Sequence, residues 1–245
     1  MKSSITLVIG SSGLIGSALV AQLRSKGSAV IGIDALDSLS TTYTRSVGGF
    51  SDIKDIWDDV AIRFEYVSVV FTAGKNGSVE HGGLTDKYGI DHEDEIQYFR
   101  ANVLIPQDIA LGIIESCERI YTTLRVRVWI VVSHYGHKAA NNSLYPDGQY
   151  KPIGYITSKH AALGLVKALA TRFSGERISI NGFSPGGILN DQPAQFQKKY
   201  SDYVPIGRLA RIDEIAIWMA LVMNPLNPVY ATGTIFNVDG GVLSW

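Results

Sequence analysis

The run Val8-Ile9-Gly10-Ser11-Ser12-Gly13-Leu14-Ile15-Gly16 decides how this chain is read. It follows an apolar stretch, Ile5–Ile9, that reads as a buried strand, and it opens a helical pattern, Leu14–Lys26, closed by Gly27. Backbone N–H groups at a helix N-terminus bind phosphate oxygens, and glycine lets a pyrophosphate approach them closely. The third glycine allows tight packing of helix on strand. Gly10, Ser12, Gly13, Leu14, Ile15 and Gly16 are therefore candidate pyrophosphate-binding residues. A second strand, Ala29–Ile33, runs into Asp34, 24 positions after Gly10. A carboxylate there accepts hydrogen bonds from adenosine ribose hydroxyls and repels a 2′-phosphate, which predicts NAD in preference to NADP.

Outward from this turn, further β-rich runs occur at Val67–Ala73, Arg125–Val132, Arg177–Phe183 and Thr234–Val238. Helical patterns lie near Asp91–Cys117, Gly154–Phe173 and Asp213–Met223. Strands alternating with helices imply right-handed crossovers and a parallel sheet covered on both faces. The expected fold is α/β: one Rossmann-type, doubly wound parallel sheet flanked by helices. Residues 34–66 offer only a weak helix at Asp52–Val60 and the pair Gly48-Gly49, so this part of the winding reads as shortened.

Composition narrows the class without naming the chemistry. The 245 residues hold 22 Lys+Arg against 23 Asp+Glu, 46% hydrophobic residues, 25 Gly and one Cys. At roughly 150 residues per domain this length suits one domain, taken as 1–245. A formal charge of −1 argues against nucleic-acid or anionic-membrane partners. No apolar run approaches the ~20 residues that span a bilayer, and the N-terminus carries no signal-peptide core. The lone Cys117 excludes an internal disulfide and suits a reducing compartment, so a cytoplasmic location is expected. It lies on an apolar helix face and is read as a packing residue. His134 and His137 lack a third ligand at sensible spacing, so no metal is expected. His81, Asp86, Asp91, His92, Glu93, Asp94 and Glu95 read as a solvated helix start.

Tyr155 and Lys159 share one helical face at spacing i, i+4. An ammonium beside a phenol favours the phenolate and lowers its pKa, which suits proton exchange with a carbonyl or alcohol oxygen. Ser133 ends the Val128–Val132 run, at the carboxyl edge of the expected sheet, where open α/β folds bind ligands.

These residues, with Thr72-Ala73-Gly74, Asn102, Ser184-Pro185-Gly186-Gly187, Thr232-Gly233 and Val238-Asp239-Gly240-Gly241, resemble the short-chain dehydrogenase/reductase family over nearly the whole chain. The resemblance implies Tyr155 as general acid/base and Ser133 as the group that positions the reacting oxygen. It implies Lys159 as the group that lowers the Tyr155 pKa and holds the nicotinamide ribose. Asn102 would bind a water that relays protons to Lys159. Thr72, Ala73, Gly74, Pro185, Gly186 and Ile188 would complete the cofactor site, with backbone at Ile188 replacing a threonine that many members use there. Family members often pair through helices corresponding to Ile105–Arg119 and Tyr155–Phe173, which implies a homodimer or homotetramer.

The chain departs from the family pattern in several places. Its glycine spacing is that of longer members, and Thr72 replaces an asparagine whose side-chain hydrogen bond supports the sheet edge. Ser133 precedes Tyr155 by 22 residues rather than about a dozen, and Ser143 is its rival by count. Ser133 is preferred because it ends a strand, which makes 137–151 an insertion. Substrate choice is expected in loops 134–151 and 188–210. The first, rich in aromatic and amide groups, suits a polyhydroxylated or nucleotide-linked ligand, or is simply an ordered loop. Within the second, 190–210 is read as a lid. Residues 184–200 resemble locally the substrate loop of flagellin-modification reductases, associated with sialic-acid-like sugars. The leading expectation is an NAD(H)-dependent oxidoreductase acting on a small alcohol or ketone, a sugar or nucleotide sugar by that likeness. The alternatives are a 3-oxoacyl-type carbonyl reductase and a non-catalytic dinucleotide binder.

Overall fold

The structure is a computed structural model and describes residues 3–76, 80–81, 92–228 and 230–245. Its elements in order are β1 (Ser4–Ile9), α1 (Leu14–Ser25), β2 (Val30–Asp34), β3 (Tyr43–Thr44), α2 (Lys54–Arg63), β4 (Tyr66–Phe71) and β5 (Glu80–His81). There follow α3 (His92–Phe99), α4 (Ile105–Arg119), β6 (Arg125–Val131), β7 (Gln149–Tyr150), α5 (Ile153–Phe173), β8 (Ile178–Pro185), α6 (Ala194–Tyr203), α7 (Ile212–Val222) and β9 (Ile235–Val238). Seven strands form one parallel sheet in the order β3-β2-β1-β4-β6-β8-β9. The order reverses beside β1, so the carboxyl ends of β1 and β4 flank a crevice. No described helix is long and apolar enough to cross a membrane.

The central strands are apolar on both faces because helices cover both. Leu7, Val69, Val128 and Ile180 pack beneath α2, α4 and α5. Val8, Val70, Trp129 and Phe183 pack against α1 and α7. Cys117 is fully buried in the first layer, and burial pushes its thiol up to about 11.

The 34–66 segment is compact. Strand β3 has two residues, and a short 3-10 turn, Phe50–Asp52, docks on α4 through a hydrogen bond from the Phe50 amide to Asp108 Oδ2 at 2.8 Å. The pattern read as one helix over Asp91–Cys117 divides into α3, a π-helical turn at Arg100–Leu104, and α4. Of the cluster read as a solvated helix start, Asp86, Asp91 and the side chains of His81 and His92 lie outside the described residues. Segment 190–210, expected as a lid, contains helix α6.

Candidate active site

The glycine turn is held by contacts that exclude side chains. Gly10 has φ +91°, and a Cβ there would stand 2.8 Å from the Ala73 Cβ and closer to its backbone. A Cβ on Gly16 would stand 2.7 Å from Thr72 Oγ1 and nearer still to the Gly10 carbonyl oxygen. Gly13 differs: a Cβ would meet only the Gly10 oxygen, at 3.5 Å. Protein packing therefore does not demand glycine at Gly13. It lines the cleft with Leu14 and Ile15, and the bare backbone there leaves room for a bound group. The Thr72 hydroxyl donates to the carbonyls of Ile9 (3.0 Å) and Gly10 (2.9 Å), so threonine supplies the side-chain support of the sheet edge.

Asp34 ends β2 facing the turn. Its Oδ2 accepts the Ser12 amide and its Oδ1 the Leu36 amide, each at 3.0 Å. Burial opposes the charge, but these bonds prevail and hold the carboxyl below its usual value. The Ser12 N–H is thereby committed to Asp34 in the cofactor-free protein. An apolar recess of about 330 Å³, lined by Ile9, Val47, Phe71, Ala73, Ala101 and Pro106, adjoins the turn. Its size and apolar lining leave room for a heteroaromatic ring.

The catalytic candidates meet in a cleft of about 760 Å³ that Gly13, Leu14, Ile15, Thr72 and Gly74 also line. Ser133, Tyr155 and Lys159 all face it. Burial raises the Tyr155 pKa above that of an ordinary phenol, and the polar Ser133 side chain opposes this only in part. Burial thus prevails over the expected pull of the ammonium. Lys159 Nζ lies 5.8 Å from the Tyr155 ring centroid and donates to the Val131 carbonyl at 3.2 Å. Burial lowers its pKa to about 8. Lys151 comes nearer the ring, at 4.6 Å. The rings of Tyr98 and Tyr135 meet Tyr155 edge-on, each at 6.3 Å. Ser143, the rival serine, bonds Asn141 Oδ1 outside the cleft.

Asn102 sits in the π-helical turn, a feature that often marks functional sites. Its Nδ2 donates to the Lys75 carbonyl (3.1 Å) and to Ser158 Oγ (2.9 Å), while its Oδ1 is buried without a partner among the described residues. A Cβ on Gly74 would touch both this Oδ1 and Lys159 Nζ, so the two lie on either side of one small space. Ser158, which bridges Asn102 to the Tyr155 carbonyl, was missed by the sequence reading. It occupies an interior helical position where serine gives no signal.

Pro185, Gly186 and Ile188 lie on the cleft wall opposite the glycine turn, whereas Ala73 lines the recess. Loops 134–151 and 188–210 form the outer walls through Tyr145, Gln149, Lys151, Gln192, Phe196 and Tyr200 among others.

A family model described as enoyl-(acyl carrier protein) reductase matches residues 144–243. The cis-2,3-dihydrobiphenyl-2,3-diol dehydrogenase of Rhodococcus globerulus is 25% identical over 276 residues, covering 99% of this chain and 91% of its own. The 3alpha-hydroxysteroid dehydrogenase of Mediterraneibacter gnavus is 24% identical, covering 100% and 98%. The chain is an oxidoreductase, similar over its whole length to enzymes of the short-chain dehydrogenase/reductase kind. This oxidoreductase also shares its fold with a solved short-chain dehydrogenase from Leptospira borgpetersenii with bound NAD+. The TM-score is 0.81 at 21% identity, with 99% of this chain and 93% of that one covered. The NADP-bound structure of ElxO matches with a TM-score of 0.76 at 19% identity, both chains covered in full at 100%. The enzyme class is thus carried by sequence relatives, and the solved structures carry the fold.

Proposed function

We propose that this enzyme is an NAD(H)-dependent oxidoreductase that interconverts a secondary alcohol and its ketone, using Ser133, Tyr155 and Lys159. One observation carries the reading: Ser133, Tyr155 and Lys159 line the same cleft that the glycine turn opens. Gly10, Ser12, Gly13, Leu14, Ile15 and Gly16 would hold the pyrophosphate, and the unfilled backbone at Gly13 fits that purpose. Asp34 would take the adenosine ribose, its fixed carboxylate favouring NAD over NADP. Thr72, Ala73 and Gly74 would line the path between the dinucleotide's halves, and Pro185, Gly186 and Ile188 would hold the nicotinamide end. When bound, the nicotinamide supplies or accepts the hydride.

The chain's own residues handle the proton. Ser133 fixes the reacting oxygen against the Tyr155 hydroxyl. With its pKa raised, Tyr155 is protonated at neutral pH in the cofactor-free enzyme, ready to donate to a carbonyl oxygen. Lys159, whose pKa of about 8 lies near neutrality, would hold the nicotinamide ribose and pass a proton toward Asn102. The partnerless Asn102 Oδ1 supports a water there.

The substrate is a polyhydroxylated one, a sugar or nucleotide sugar in this reading. Amides of Asn76, Gln149, Asn190 and Gln192 stand around aromatic walls, and the local likeness to flagellin-modification reductases points the same way. A second reading, reduction of a 3-oxoacyl group, is favoured by relatives named for that activity. The 3-oxoacyl-[acyl-carrier-protein] reductase of Haemophilus influenzae is 24% identical over 252 residues. The test is NADH oxidation against a panel of sugar ketones and 3-oxoacyl thioesters, with NADPH beside it, in the native enzyme and Tyr155→Phe. Catalysis requires that Tyr155→Phe bind NADH yet lose turnover. A native enzyme that binds NADH and turns over nothing is a dinucleotide binder. Preference for NADPH overturns the role given to Asp34.

A further inference from the structure

His134 follows Ser133 directly and lines the same cleft, yet the mechanism gives it no task. Its ring stacks on Tyr135, with centroids 4.0 Å apart, and meets Tyr200 edge-on at 6.4 Å. Its Nδ1 lies 3.3 Å from the Pro185 carbonyl oxygen. A carbonyl only accepts, so Nδ1 carries the hydrogen and Nε2 carries a lone pair. This Nε2 has no hydrogen-bond partner among the described residues. It is not sealed off as Asn102 Oδ1, Trp129 Nε1 and Ser184 Oγ are. The residue is 6% exposed, and that surface gives onto the cleft.

The ring stays neutral. Burial pulls its pKa down to about 4, and Lys138 and Lys151 oppose a charge more weakly, while the Pro185 bond and Asp239 act the other way. The cleft therefore presents an acceptor that cannot donate, one residue from the serine that fixes the reacting oxygen. An acceptor-only group selects a ligand donor at that point. A ketone or ether oxygen leaves it unpaired, and a hydroxyl satisfies it.

We infer that His134 determines specificity by accepting a hydrogen bond from a hydroxyl on the carbon next to the reacting one, so the substrate is a vicinal diol or its α-hydroxyketone. The inference rests on the oxidoreductase reading above and narrows its substrate. In the oxidative direction the carbinol carbon loses a hydride to the oxidised dinucleotide, and its hydroxyl loses a proton to Tyr155 as phenolate, the phenol's own proton having first left by way of Lys159. The neighbouring hydroxyl is unchanged and only donates to Nε2.

The test compares cyclohexane-1,2-diol, 2-methoxycyclohexanol and cyclohexanol as substrates with NAD+. The native enzyme is expected to favour the diol over both others by about tenfold in kcat/KM, the scale of one hydrogen bond to a buried acceptor. His134→Phe keeps the stacked ring and removes the acceptor. It should erase that preference while leaving cyclohexanol oxidation and NADH affinity within about threefold. A native enzyme that oxidises all three equally overturns the inference and leaves the oxidoreductase reading in place. So does a variant that loses diol and mono-alcohol activity together. A native enzyme that oxidises none of the three overturns the inference, and the ketone panel above then decides the oxidoreductase reading on its own.

Discussion

Gly16→Ala and Gly164→Ala make the same chemical change in two helices and should have opposite effects. Alanine exceeds glycine by roughly 1 kcal/mol of intrinsic propensity in a helix interior, so both substitutions begin as gains. At Gly164, on the exposed side of α5, a Cβ meets nothing within 4 Å, and the gain stands. At Gly16 a Cβ would stand 2.7 Å from Thr72 Oγ1 and 2.9 Å from the Gly10 carbonyl carbon. Comfortable carbon contacts begin at roughly 3.5 Å, so α1 must move by the better part of an ångström relative to β1. Overpacking of this kind costs roughly 1–3 kcal/mol. Moving Thr72 also strains its two bonds to the Ile9 and Gly10 carbonyls, each worth about 1 kcal/mol. The clash exceeds the propensity gain, leaving Gly16→Ala less stable by about 2 kcal/mol and lowering Tm by about 4–8 °C. Gly164→Ala should raise Tm by about 2–4 °C. Thermal melts followed by circular dichroism without dinucleotide measure both. A Gly16→Ala protein that melts at or above the native temperature would refute the packing account of the third glycine.

Three further outcomes follow from the site. Lys159 has a folded pKa of about 8 against 10.5 unfolded, so burying its ammonium costs about 3 kcal/mol below pH 8, relieved as pH rises toward 10. Lys159→Met should therefore be more stable than the native protein at pH 7 in urea titration, lack the native gain between pH 8 and 9.5, and have no turnover. Asp34→Ala removes the carboxylate that would repel a 2′-phosphate, and the NADH/NADPH ratio of kcat/KM should fall by about tenfold or more in steady-state assays. Ser158→Ala strips Asn102 Nδ2 of one buried acceptor, costing about 1–2 kcal/mol in urea and lowering kcat more than it raises KM for NADH.

What the sequence conveyed depended on how far each feature repeats. Strands β1, β4, β6 and β8 are buried on both faces, so their valine and isoleucine runs stood out. The glycine turn declared itself because Gly10 and Gly16 are required by contacts of the backbone itself. Ser133, Tyr155 and Lys159 were found from a strand end and a helical spacing, and they meet in one cleft. Strand β3, at two residues, is too short for any period, and Val47, which helps form the recess, hides in that stretch. The π-helical turn at Asn102 is a change of backbone register that no side-chain pattern records. Helix α6, Ala194–Tyr203, went unread because only Tyr200 is buried along it, with Phe196 and Tyr203 half-buried among polar residues. The roles of Ser158 and His134 depend on partners from distant segments, Asn102 and Pro185, which only the fold brings near.

The two outer loops are a single structural unit, and this bears on how specificity can change. Tyr145 from the first loop packs on Phe196 from the second at 5.5 Å, and Phe196 stacks on Tyr200 at 5.9 Å. The Tyr200 hydroxyl accepts the Gly187 amide at 2.7 Å, which ties α6 to the end of β8. Tyr145 returns through its hydroxyl to that of Tyr135 at 2.9 Å, and Tyr135 abuts the Tyr155 ring. Leu144, Val204, Leu209 and Val242 complete a small core beneath these rings. Lys138 pins the carbonyl of Val242 at 2.6 Å, so the segment near the C-terminus belongs to the same unit. A substitution in either loop therefore reaches the other through close-packed rings, and it reaches Tyr155 through Tyr135. On the proposed reading, substrate choice would be a property of that shared core, with His134 and Tyr135 as its contacts to the reacting centre.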